Sequence, residues 1–93
     1  MAVPPGPGKP RVLFATYGGL KDGNPDQALA LDATDALQTA INNTAGEVVK
    51  IDNGTMGRDP AHLVPKQFGA IVQMVNGERR AFACLEGQTI DFT

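Results

Sequence analysis

Ninety-three residues make one domain with a thin core, one that buries roughly 60–65% of the surface its unfolded chain exposes. The formal charge is −2, and the eight basic residues are scattered, so the clustered Lys and Arg that nucleic acid or an anionic membrane surface requires are missing. A single cysteine, Cys84, and a single histidine, His62, exclude an internal disulfide and a Cys/His metal knot.

The first ten residues hold four prolines and two glycines. They can neither pair in a sheet nor enter a helix interior, and are expected to form a flexible tail (1–10) ahead of one β-rich domain (11–93). No apolar run has the length of a signal sequence or a bilayer span, so a cytoplasmic protein without membrane insertion is expected.

Arg11 to Tyr17 reads as a strand with apolar residues on both faces, ended by Gly18-Gly19. Asp22-Gly23 and Asn24-Pro25 mark a loop, and Gln27 to Leu31 a short strand. Asp32 has the look of a helix N-cap with Asp35 three residues on. Ala33, Leu37, Ala40 and Ile41 then trace one apolar stripe, which predicts a short helix near 33–42.

Glu47 to Ile51 is the next predicted strand, followed by a Gly/Asp/Asn-rich loop over 52–60. Ala61 to Lys66, bounded by prolines, suits a bend or an edge. Phe68 to Val75 and Glu78 to Leu85 flank Asn76-Gly77, a strong hairpin signal in which both turn residues would take φ > 0. Thr89 to Phe92 ends the chain as a last strand. Six to eight strands at this spacing predict a mainly β fold, a small antiparallel β-sandwich of Greek-key or jelly-roll type, with one short helix.

Two loops carry candidate ligand chemistry. Asp22, Asn24 and Asp26 stand at alternate positions, as oxygen ligands do at the start of a calcium loop, which makes them metal candidates. Gln27 replaces the required glycine, and no glutamate follows at the bidentate position. Asp52, Asn53, Thr55, Asp59 and His62 form the second set, with Gly54 and Gly57 allowing close backbone approach to a sugar or a cation. The lack of tryptophan and the lone Tyr17 weigh against a stacked-sugar site. The chain has no serine, so His62 with Cys84 or Asp59 is the one nucleophile–base pairing in sight. Cys84 alternates with Phe82 and Arg80 on one strand face and suits a packed small hydrophobe. No enzyme activity and no cofactor is expected. The sequons at Asn42 and Asn53 are idle in a cytosolic chain.

Three segments in order, Ala15-Thr16-Tyr17-Gly18-Gly19, Asp32-Ala33-Thr34-Asp35-Ala36-Leu37-Gln38 and Asp52-Asn53-Gly54-Thr55-Met56-Gly57-Arg58-Asp59-Pro60, carry a resemblance. The chain resembles a small β-rich domain found alone or appended in bacterial and fungal proteins and at the C-terminus of mitochondrial J-proteins (DnaJ-like). Residues 68–75 are less basic and aromatic than the matching strand of that domain. The resemblance implies a compact domain that acts by contact and carries no catalytic residues.

The expected function is a non-catalytic binding or interaction module. A hairpin that is apolar on both faces needs cover on both, and pairing as a homo-oligomer or with a protein partner would supply it. The alternatives are a lectin-like carbohydrate- or calcium-binding protein using loops 21–26 and 52–59, and a small assembly or structural subunit.

Overall fold

The computed structural model describes residues 3–20, 28–61 and 64–93. Six strands form two antiparallel sheets. Strands β1 (Arg11–Leu20), β2 (Ala28–Asp32), β4 (Gln67–Gln73) and β5 (Arg79–Leu85) make a four-stranded sheet in the order β2-β1-β4-β5. Strands β3 (Val48–Lys50) and β6 (Thr89–Asp91) make a two-stranded one. Helix α1 spans Thr34–Asn42, and a single turn, α2, spans Asn53–Met56. The fold is mainly β with one substantial helix, as expected, and the sheets do not close into a barrel.

Strand alternation decides where the core lies. On β4, Phe68, Ala70 and Val72 are buried, while the alternate positions Gln67 and Ile71 are exposed and Gly69 is half-buried. Their partners on β1 follow suit: Tyr17 opposite Phe68, Ala15 opposite Ala70, Val12 opposite Val72. A bulge between Val12 and Phe14 takes up one residue and keeps both flanking stretches in phase. Leu37 and Ile41 of α1, Val49 of β3, Ile51, Met56 of α2 and Phe92 complete the core from the other side. The Phe82 and Phe92 rings meet at 4.8 Å between centroids, tying β5 to the residue after β6.

Helix α1 starts where Asp32 predicts, shifted by one residue. The N-cap position is Ala33, and the Asp32 carboxylate accepts from the Thr34 N–H at 2.9 Å and the Thr34 hydroxyl at 2.6 Å. These bonds, side chain first, hold the Asp32 pKa below its ordinary value. Gln38, fully buried on α1, fastens the helix to the sheet. Its amide oxygen accepts from the Val12 N–H at 2.7 Å, and its nitrogen donates to Pro10 O and Asn42 Oδ1. The Pro/Gly segment is hydrogen-bonded to the same helix. Asn42 bonds Gly6 N and Pro4 O, and the Lys9 ammonium reaches Thr44 O and Glu47.

Two sequence expectations change. Gly18-Gly19 does not end β1, which runs on to Leu20. Gly18 has φ +148°, and a Cβ there would lie 2.2 Å from Leu29 O and 2.5 Å from the Ala30 Cα. It is a position within a paired strand where β2 leaves no room for a side chain, not a turn. The Asn76-Gly77 hairpin forms, but its turn sits one residue earlier. Gly77 N donates to Met74 O at 2.8 Å and Met74 N to Glu78 O at 2.7 Å. Gly77 alone has φ > 0, at +90°. Val75 and Asn76 are therefore the central turn residues and Gly77 the left-handed bulge position, the pattern of a longer hairpin loop. Met74 and Val75 leave the strand in consequence.

Gly18→Ala should destabilise the fold by about 3 kcal/mol, because the new methyl meets backbone on a conformation unsuited to it. Gly77→Ala, which meets open space, should cost only about 1 kcal/mol. Urea unfolding followed by circular dichroism separates the two.

Candidate functional site

The glycine-rich loop folds as its polar residues dictate. Asp52 caps α2: its carboxylate accepts from Thr55 N at 2.9 Å, while the Thr55 hydroxyl accepts from Asp52 N and donates to Lys50 O. This is a reciprocal capping box. Asn53 Oδ1 accepts the Tyr17 hydroxyl at 2.7 Å. Asp59 accepts from Ala61 N and pairs with Lys66 at 3.2 Å. Asp52, Asn53, Thr55 and Asp59 thus lie along one loop, with hydrogen bonds directed into the protein. His62, the fifth of the set, and the metal candidates Asp22, Asn24 and Asp26 lie outside the described residues. Among the described residues no group of three or more His, Cys, Asp and Glu side chains is placed to hold a metal.

Three residues that sequence reasoning did not single out complete a polar cluster. Lys66 is buried, with its ammonium near Val64 O, Asp59 and Glu86. Burial by itself lowers the Lys66 pKa. The hydrogen bond and charge of Asp59, then those of Glu86, outweigh it and leave the pKa raised. The ammonium is held charged and donor-saturated, unlike a nucleophilic lysine. Tyr17 is fully buried. Its pKa is pushed up to about 12, first by burial, then by Glu86, then by the charges of Asp52 and Asp59. No local signal marks this cluster, because Lys66 and Glu86 meet only through the β4–β5 pairing.

Cys84 faces the core opposite Phe68 on β4, and burial pushes its thiol pKa up. That is the opposite of what an activated thiolate needs. Arg80 lies on the same face of β5, its guanidinium 5.4 Å from the Phe82 ring centroid. Arg79 points the other way, as strand alternation requires.

The outer face of the four-stranded sheet is the surface most in need of explanation. Read across the strands, it presents Ala30, Gly18, Gln67 and Leu85 in one row. Next come Asp32, Thr16, Gly69 and Ala83, then Phe14, Ile71 and Ala81, and last Arg11, Gln73 and Arg79. Leu20 extends the face at its Gly18 end. Phe14 is 50% exposed, Leu20 47%, Ile71 41% and Leu85 56%. Ala30, Ala81 and Ala83 are exposed between them. The large residues of this face are bare, and its centre carries no charge, with Asp32 at one edge and two arginines at one end. A hollow of about 280 Å³ opens over Gly18, Ala30 and Gly69, with Thr16, Leu20 and Gln67 also lining it.

Compared with protein families, with curated proteins and with solved structures, the chain matches none. The resemblance to the J-protein domain rests on its three motifs alone. No helix among the described residues is long and apolar enough to cross a membrane.

Tyr17 is the only tyrosine, and there is no tryptophan, so phenolate absorbance reports this one side chain. A raised tyrosine pKa means the fold favours the protonated form. Its contribution to stability is complete below pH 10 and is lost as pH rises toward about 12. The raised Lys66 pKa acts in the same direction, its contribution present below 10.5 and lost as pH rises through the folded value. Spectrophotometric titration should therefore give a midpoint near pH 12 when folded, near 10 in denaturant, with stability falling between them. Tyr17→Phe should remove the absorbance step and, by unpairing Asn53, cost about 1 kcal/mol.

Proposed function

We propose that the chain is a non-catalytic protein-interaction module, and that its working surface is the outer face of the four-stranded sheet. The observation that carries this reading is the set of half-exposed Phe14, Ile71 and Leu85 on a regular sheet surface whose centre is uncharged. A monomer's scattered apolar side chains need no explanation, but a contiguous apolar patch on a rigid element does. The partner this face fits is a flat, apolar protein surface without charge at its centre. Electrostatic steering would be weak, because Arg11 and Arg79 sit at one end and Asp32 at one edge.

Four strands spaced ~4.8 Å apart and about seven residues long give a face of roughly 19 by 24 Å. That is smaller than the roughly 800 Å² per partner of a standard interface. Binding through it would accordingly be reversible and sensitive to single side chains. The internal engagement of Asp52, Asn53 and Thr55 lends no support to a carbohydrate site in that loop.

The test is a double variant, Phe14→Ser with Ile71→Ser. Both side chains are about half exposed, so each change should cost no more than about 1 kcal/mol of stability. Dilute wild-type protein should bind an apolar fluorescent dye and be retained on a phenyl matrix. The variant should lose both properties with an unchanged circular dichroism spectrum. Equal retention of the two proteins, or specific adsorption to anionic vesicles, would overturn the reading.

A further inference from the structure

We infer that the side of α1 bearing Asp35, Gln38 and Asn42 is a docking groove for a proline- and glycine-rich segment of a partner protein, filled here by the chain's own residues 3–9. The groove shares no residue with the outer face of the sheet and stands or falls independently of it.

Helical spacing is the first argument. Asp35, Gln38 and Asn42 stand at i, i+3 and i+7, so they share one stripe of the helix. All three bond the main chain of the Pro/Gly segment. Asp35 Oδ1 accepts from the Val3 N–H at 3.1 Å. Asn42 spans two residues, donating to Pro4 O at 3.0 Å and accepting from the Gly6 N–H at 2.8 Å. Gln38 donates to Pro10 O at 3.0 Å. Residues 3–6 enter neither strand nor helix, so the helix side chains supply the partners that a ladder would otherwise give. Recognition through main-chain atoms selects a segment by its shape.

That shape is specific. Gly6-Pro7-Gly8-Lys9 is a turn closed by the Lys9 N–H on Gly6 O at 3.0 Å, with proline second and Gly8 third at φ +71°. The turn delivers the Lys9 ammonium to Thr44 O at 2.8 Å and to Glu47 Oε1 at 2.7 Å. Glu47 is the one non-glycine residue with positive φ among the described residues, at +55°, and strain of this kind collects at ligand clamps. A Cβ on Gly6 would lie 3.4 Å from Asn42 Oδ1 and from Lys9 Cγ, so the groove favours glycine before the turn. The prolines limit the entropy lost on docking.

The hold on the segment is the third argument. None of residues 3–9 is buried and none joins the core cluster. Their ties are the hydrogen bonds above and the Lys9–Glu47 pair. An element with few buried apolar contacts opens locally while the rest of the fold stays closed. A groove filled in this way is open to a competitor of the same chemistry once that competitor exceeds the effective concentration of the tethered segment, on the order of millimolar.

The experiment uses the full chain and a fluorescent peptide of residues 3–10 with blocked ends. By amide exchange, Gly6 should open about a hundredfold more often than the paired residues of β1 and β4. Lys9→Glu sets a carboxylate against Glu47 and frees the segment. This variant should bind the peptide about tenfold more tightly than the wild type does, because the tethered competitor is gone. Adding Asn42→Ala should abolish that binding with an unchanged circular dichroism spectrum. Peptides carrying Gly6→Val or Lys9→Glu, which require no refolding of the protein, should bind about tenfold more weakly. Failure of the Lys9→Glu protein to bind, whether or not its Gly6 amide loses protection, would overturn the proposal. Equal binding of the three peptides, or undiminished binding after Asn42→Ala, would do the same. A wild-type dimer that dissociates on Asn42→Ala would make the occupant a second copy and overturn the separate partner.

Discussion

A four-stranded sheet has two faces to cover, and among the described residues the material to cover them is a nine-residue helix, the single turn α2 and one pair of three-residue strands. All of that material sits on the inner side. Leu37, Ile41, Val49 and Phe92 meet Tyr17, Phe68 and Val72 there, and each of these is buried. Small domains bury a limited fraction of their surface, so a shortfall of this kind is expected at 93 residues. What distinguishes this chain is the composition of the uncovered side. A solvent-facing sheet usually alternates apolar in and polar out, whereas here Phe14, Ile71 and Leu85 stand where polar residues would.

Strand β1 bears most of the consequences. It pairs on both sides, carries the bulge, and accepts the helix through Gln38. Its inner positions hold the bulkiest fully buried side chain, Tyr17, and its outer positions hold Thr16 and Gly18. Gly18 serves two ends at once. Its lack of a side chain lets β2 close against β1 at Leu29 and Ala30, and it leaves the outer surface dented. The packing requirement inside the sheet and the shape of its free face therefore share one residue. The polar cluster around Lys66 secures the far end of the same strand, through the Tyr17–Asn53 bond and the Glu86 carboxylate.

Much of this was legible in the sequence. Where an element is marked by local chemistry, the reading succeeded: Asp32 at the start of α1, the alternation of Phe68, Ala70 and Val72, the hairpin itself. It failed where a residue answers to a distant neighbour. Gly18-Gly19 looks like a strand end because glycine is commonest in turns, and only the approach of Leu29 explains a glycine within a paired strand. The hairpin turn moved because Asn-Gly satisfies two loop geometries, and the pairing of Gln73 with Arg79 selects the longer. Asp52, Asn53 and Thr55 read as ligand donors because capping and binding draw on the same side chains, and the structure shows Asp52 and Thr55 capping α2. Lys66 and Glu86 gave no signal, since a charged pair twenty residues apart becomes visible only once β4 and β5 are paired.

The edges and the outer face of the sheet differ in how they are protected. An open strand edge is the usual route by which sheets add to one another, and proteins block it with short strands and charges. Here β2, one edge, has five residues, and its last, Asp32, turns its carboxylate to Thr34. The other edge, β5, begins with Arg79 and Arg80 and ends at Leu85, whose N–H is taken by Gln88 Oε1 at 2.7 Å. Both edges thus carry features that oppose strand addition, while the middle of the face between them carries no charge. A lysine or glutamate at position 71 or 83 would have charged the face in the same way. The contrast between guarded edges and an uncharged centre supports the proposed interaction face over strand addition. It also recasts the two-faced hydrophobicity of the β4–β5 hairpin: one face is matched within the chain, and the other stays half exposed.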